Sequence, residues 1–193
     1  LIVLLYPLVI ASEWLTRLIT RGKKMHRFSR EEFIAMAGLG EQTGHIDEHE
    51  SRIIRNLLRL GSLKAADIMT PRTVITVLPE NASVRDALNA TINSTFSRLP
   101  LYGEDMDDIT GFVLKDDILM YDSQGKADEA LTSLKRDIKA VPVSTTLPKL
   151  LEFLLDHREQ IVIVIGEYGE TRGVVTLEDV VETLLGMEII DET

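Results

Sequence analysis

Apolar positions along the middle of the chain follow two different periods. Val84, Leu88 and Ile92 recur every four residues, which predicts a helix with one apolar face. On either side the pattern shortens to that of strands. Thr73–Leu78 is rich in β-branched residues, and Leu99–Tyr102 and Ile109–Leu114 are brief apolar runs. Pro79-Glu-Asn81 supplies one turn, the acidic stretch Gly103–Asp108 reads as a hairpin, and Lys115 opens a last helix. The predicted order is strand, helix, strand, strand, helix.

The same order then returns. Gly111-Phe-Val-Leu-Lys-Asp-Asp117 is matched sixty-two positions on by Gly173-Val-Val-Thr-Leu-Glu-Asp179, and Ser97–Tyr102 lies over Glu159–Val164 at the same offset. Further back the register slips by one, setting Pro79 and Val84 over Pro142 and Leu147. A repeat of this period is an architecture in itself. The copies run from about Asp67 to Tyr121 and from Arg136 to Leu185, giving domains at 67–122 and 136–187. The all-aliphatic Ile161–Ile165 predicts a strand buried on both faces. The fold class is therefore α/β (α+β).

Residues 23–66 read as a helical connector. Ser29-Arg-Glu-Glu32 has the form of a capping box, and Asp47-Glu-His-Glu50 opens a longer helix bearing Ile53, Ile54, Leu57 and Leu58. Ahead of it, Leu1–Ala11 is wholly apolar, Trp14 follows, and Arg17, Arg21, Lys23, Lys24 and Arg27 form a basic cluster. Eleven residues are too few to span a bilayer, which takes about 20. Charges that follow the apolar run, instead of preceding it, disfavour a signal peptide. The order apolar, Trp, basic is the one expected where a membrane helix emerges on the cytoplasmic side, so residues 1–22 are expected to end a membrane domain. The alternative is a helix that packs on the domain or a partner through Leu15, Leu18 and Ile19.

Composition narrows the function. A net charge of -10 argues against nucleic acid, whose binding draws on clustered Lys and Arg. The sequence has no cysteine, so disulfides and thiolate metal sites are excluded. No nucleophile elbow or Walker lysine is present, and the histidines lie in connectors or at a helix end. No enzyme is expected.

Three places carry candidate chemistry. Thr176 stands where a strand gives way to a helix, so its hydroxyl and the free N–H groups of the first turn suit a phosphate, while Asp179 suits the hydroxyls of a ribose. Thr-x-x-Asp also serves simply to start a helix, and both readings stand. Arg98 offers a guanidinium fork for two phosphate oxygens, or else a salt bridge to the acidic turn Glu104–Asp108. His45 and His49, four apart among acidic residues, would share one face of a helix as metal ligands, or merely belong to a solvated helix start.

Met69-Thr-Pro-Arg72, Ser97-Arg-Leu-Pro100 and Gly173–Asp179, together and in order, resemble the tandem CBS domains of the CorC/cyclin M (CNNM) family, whose members include hemolysin-like proteins. Thr43-Gly-His-Ile46 and the ending Glu188–Thr193 are similar to it as well, and the resemblance implies that residues 188–193 begin a linker to a further domain. The resemblance implies a Bateman module: two CBS motifs (β-α-β-β-α) about a pseudo-two-fold axis, pairing into a homodimer, attached to the protein's own membrane domain at the cytoplasmic face of the inner membrane. It implies AMP or ATP, with or without Mg²⁺, as regulatory ligand, and a link to magnesium and cobalt efflux or tolerance. It carries the nucleotide site onto Thr70, Ser97, Arg98, Pro100, Thr176 and Asp179. The alternatives are a ligand-free dimerisation module and a direct divalent-metal sensor. The first copy departs from this pattern: Leu114 replaces Thr176 although Asp117 is kept, and Gln160 replaces Arg98. One competent cleft per chain is expected, the other lacking both hydroxyl and cation.

Overall fold

The computed structural model describes residues 14, 29–92 and 94–186. The apolar start, the basic cluster at 17–27, Leu15, Leu18, Ile19 and the ending 188–193 lie outside the described residues. Among the described residues no helix is long and apolar enough to cross a membrane.

Both expected capping boxes form. Ser29 Oγ accepts from Glu32 N at 3.2 Å and starts α1 (Arg30–Gln42); Asp47 Oδ1 accepts from Glu50 N at 2.8 Å and starts α2 (Glu48–Leu60). The two helices pack together, tied by Arg55 to Glu41 at 3.0 Å. A short helix α3 (Ala65–Ile68) leads to the edge strand β1 (Thr70–Pro71).

The first copy consists of β2 (Leu78–Pro79), α4 (Val84–Thr91), β3 (Arg98–Tyr102), β4 (Ile109–Leu114) and α5 (Lys115–Ser123). The second consists of β5 (Lys139–Pro142), α6 (Leu147–His157), β6 (Ile161–Ile165), β7 (Thr171–Thr176) and α7 (Leu177–Leu185). In each, a helix crosses between two parallel strands and a hairpin follows. Even the irregularity repeats, since both hairpins shift register one step from the turn, at Leu101/Tyr102 and Val164/Ile165.

Each copy has its own core. Leu99, Leu101, Val113 and Ile118 are among the fully buried residues of the first, and Leu150, Leu154, Val162 and Val175 among those of the second. Each such side chain contributes about 1.5–3 kcal/mol, more than an exposed ion pair, so burial holds the copies together and charge only adjusts them. Phe112, Ile161 and Val174 form a third cluster between the copies. Strand β6 thus buries both faces, as its composition predicts.

The leading segment of each copy crosses to the other. β1 pairs antiparallel with β7, Thr70 opposite Val174, while Arg136 bridges to Phe112 on β4. This crossing explains the repeated glycine: a Cβ at Gly173 would collide with Thr70 O, and one at Gly111 with Arg136 O.

Two strand and helix expectations need correction. Thr73–Leu78 is not a continuous strand, because β1 must leave the second copy's sheet and Val74 N donates to Pro71 O in a turn; only Leu78–Pro79 is strand. Ile92 lies beyond the end of α4 and is exposed, so the apolar face there is Val84, Ala87 and Leu88. The segment between the copies also packs on the first, with Leu131 and Leu134 in its core.

Candidate functional site

Strand β7 delivers Thr176 to the start of α7, where it is the N-cap. Its Oγ1 accepts from Asp179 N at 3.2 Å and donates to Asp179 Oδ2 at 2.8 Å, and its own N–H donates to the same oxygen at 2.7 Å. The two contacts to the carboxylate both fall on Oδ2, and among the described residues no hydrogen bond reaches Oδ1. The helix start is complete without a ligand, yet it keeps an acceptor for hydroxyl donors and the positive end of the helix dipole for an anion.

The fold brings further expected residues towards this point. β1 places Thr70 beside Val174, two positions before Thr176 on the adjoining strand. On β3, Leu99 and Leu101 enter the first core, so alternation turns Arg98 and Pro100 to the opposite face. Ser97 immediately precedes that strand, its carbonyl accepting from Lys115 N at 2.9 Å. Arg98 reaches over to the second copy, with Nη1 3.3 Å from Glu178 Oε1 and Nη2 donating to Gln160 Oε1. The expected alternative, a bridge from Arg98 to the acidic turn, does not form because Arg98 pairs with Leu114 at the end of the β3–β4 hairpin away from that turn, whose Asp107 pairs with Arg72 instead. Thr171 Oγ1 donates to Asp107 O at 2.9 Å, so the turn, though exposed, is tied to the second copy.

Sequence reasoning missed Glu178 and Gln160. Gln160 had a signal, since it is the repeat partner of Arg98, and equivalent residues beside a pseudo-two-fold axis meet. Glu178 had only its place next to Asp179. Its Oε2 is shut off from solvent and has no hydrogen-bond partner, so the pairing with Arg98 leaves part of the carboxylate unsatisfied.

The equivalent place in the first copy is built otherwise. Leu114 is the N-cap of α5 and makes no side-chain bond to it. Asp117 is engaged by Arg136 Nη2 at 2.8 Å, the arginine coming from the segment that crosses between copies. The expectation that this cleft lacks a cation is overturned. A cavity of about 380 Å³ lined by Leu114 and Gln160 is also lined by Arg98, Arg136 and Arg158. Gln160 does replace an arginine, but the tertiary fold returns three from elsewhere.

The histidine reading is also corrected. His45 lies ahead of the N-cap Asp47, its Nδ1 3.0 Å from Thr43 Oγ1, whereas His49 is inside α2; they do not share a helical face. Among the described residues no group of three His, Asp or Glu side chains is placed to hold a metal ion.

Comparison with known proteins agrees with the repeat. The CBS-domain family model matches residues 65–124 and again 130–186. The UPF0053 protein sll1254 of Synechocystis is 37% identical over 97% of this chain and 54% of its own length. The magnesium and cobalt efflux protein CorC of Escherichia coli is 30% identical over 85% of this chain and 56% of its own. The chain thus spans about half the length of these relatives. Among solved structures, the CBS domain of a bacterial CNNM/CorC family Mg²⁺ transporter in complex with ATP is 31% identical, with a TM-score of 0.68 over 72% of this chain and 98% of that one. The same kind of domain bound to an inhibitor reaches 0.76 at 31% identity, over 84% and 100%. With two matched copies, a connector shared with these relatives and a mixed α/β fold common to both structures, the chain belongs to the CBS-domain family, as a tandem pair of the CorC/CNNM type.

Proposed function

We propose that this chain is the regulatory module of a CorC-type membrane protein, a sensor and not an enzyme. It binds an adenine nucleotide, AMP or ATP with or without Mg²⁺, between its CBS motifs and passes that state to a divalent-cation efflux or tolerance function at the cytoplasmic face of the membrane. The observation that carries this reading is the start of α7, where the Thr176–Asp179 pair, the free helix terminus and Arg98 converge from both copies. In the proposed pose the ribose hydroxyls donate to Asp179, Thr176 and Arg98 meet phosphate, and Thr70, Ser97 and Pro100 complete the wall. The ATP complex of a relative with 31% identity supports the ligand class, and the efflux protein of E. coli supports the setting. Homodimerisation, with ligand favouring one arrangement of the pair, would carry the signal; a ligand that binds both arrangements equally shifts nothing.

Calorimetric titration with AMP, ADP and ATP, with and without Mg²⁺, tests this. One site per chain is expected, with stabilisation of about 2.7 kcal/mol at a hundredfold excess over Kd. Two equivalent sites would overturn the single-cleft reading, and no heat with any nucleotide would overturn the function. A ligand-free dimerisation module is the second reading, favoured by one observation: Thr176 and Asp179 satisfy each other, and Glu178 neutralises Arg98, with no ligand needed.

A further inference from the structure

The cavity beside the first copy is charged in a way that its own motif does not require. Three guanidinium groups, from Arg98, Arg136 and Arg158, line it against two carboxylates, Asp137 and Glu159, in a chain whose net charge is -10. Arg136 is engaged by Asp117 and Arg98 by Glu178. The Arg158 side chain makes no hydrogen bond or ion pair among the described residues. Its backbone is also held in the left-handed region, at φ 55°, the sole non-glycine residue so placed among the described residues. It ends α6 in the position where glycine is the usual choice.

Arg98 joins this cavity to the second copy's site. Its guanidinium touches Glu178, one residue before Asp179, and Gln160, which lines the cavity. An anion held at the start of α7 therefore has further positive charge ahead of it, across Arg98.

We propose that the first-copy cavity is a polyphosphate subsite of the nucleotide site, with Arg158 as its specificity-determining residue. This rests on the reading above: the ribose lies on Asp179 and the first phosphate on Thr176 and Arg98. The later phosphates of a nucleoside di- or triphosphate then extend past Arg98 towards Arg136 and Arg158. The fork of Arg158 is open to accept them, and a monophosphate does not reach it. The loss of the first copy's own adenosine site, through Leu114 and the Asp117–Arg136 pair, leaves the cavity free for this use.

The test is calorimetry of the whole chain with AMP and with ATP, comparing the parent with Arg158→Gly and Arg158→Lys. Glycine suits the left-handed backbone, so the fold is retained while the charge is removed. Arg158→Gly is expected to weaken ATP by about tenfold or more while leaving AMP within about twofold, and Arg158→Lys to restore most of the loss. ATP binding unchanged in Arg158→Gly, or AMP and ATP weakened equally, overturns the subsite and leaves the nucleotide site standing. If the parent binds neither nucleotide, the site and the subsite fall together.

Discussion

In the second copy, Thr176 starts the closing helix with a full capping box, and among the described residues the Asp179 carboxylate is bound only by Thr176. In the first, Leu114 occupies the same place without a side-chain bond, and Asp117 is held by an arginine from the crossing segment. The strands, crossing helices, hairpins and register shifts of the two copies nevertheless agree. The shared fold therefore depends on core burial and on the crossing glycines, not on the chemistry at the helix starts. The helical faces differ as well. α7 of the second copy packs against α2, whereas Leu119 and Met120 on the matching α5 of the first are exposed.

The sharpest way to break the likeness is at the glycines. Gly173→Val and Gly111→Val each put a side chain against a carbonyl of the crossing segment, and each should cost about 1–3 kcal/mol or more in urea denaturation. A harmless result at either position would mean that the two crossings are not equivalent.

Next comes an exchange of helix starts. Thr176→Ala removes a cap and should cost about 1 kcal/mol as well as weakening nucleotide binding. Leu114→Thr should return cap stability to α5 without creating a second nucleotide site, because Arg136 still engages Asp117. A second binding event in Leu114→Thr, seen by calorimetry, would show that the missing hydroxyl alone disabled the first copy.

A smaller effect is expected at the junction. Glu178→Gln releases Arg98 from a competing carboxylate, so nucleotides should bind a few-fold more tightly, by about 1 kcal/mol or less, with little change in melting temperature. Weaker binding would place Glu178 among the groups that hold the ligand.

The smallest concerns acid. Hydrogen bonds from Lys135 and then Thr110 hold the Glu80 carboxyl below its ordinary value of 4.5. A group depressed on folding contributes stability that is present above the unfolded value and lost as pH falls through the folded one. Glu80→Gln should therefore flatten the first copy's loss of stability below about pH 4.5, followed by pH-dependent denaturation. An unchanged acid limb would show that the contact contributes nothing to folding.

Much of this molecule was legible along the chain. The offset of Gly111 and Gly173, the run Ile161–Ile165 and the caps at Ser29 and Asp47 are local patterns, and period, propensity and capping express themselves within a few residues. Thr73–Leu78 misled for a related reason: β-branched composition favours a strand, but the need to cross between sheets forced a turn after Pro71. The candidate site was half visible. Thr176 and Asp179 are neighbours in sequence, so their pairing could be read, whereas the engagement of Arg98 by Glu178 spans both copies.

Period and composition were enough to predict a duplicated α/β unit and its helix starts, because those features depend on near neighbours; the candidate nucleotide residues were carried over by the family resemblance. Which charges share a cleft was settled by folding. Arg98, Arg136 and Arg158 come from a strand, a crossing segment and a helix end, and only sheet pairing and the packing of one copy on the other bring such distant groups to the wall of one cavity.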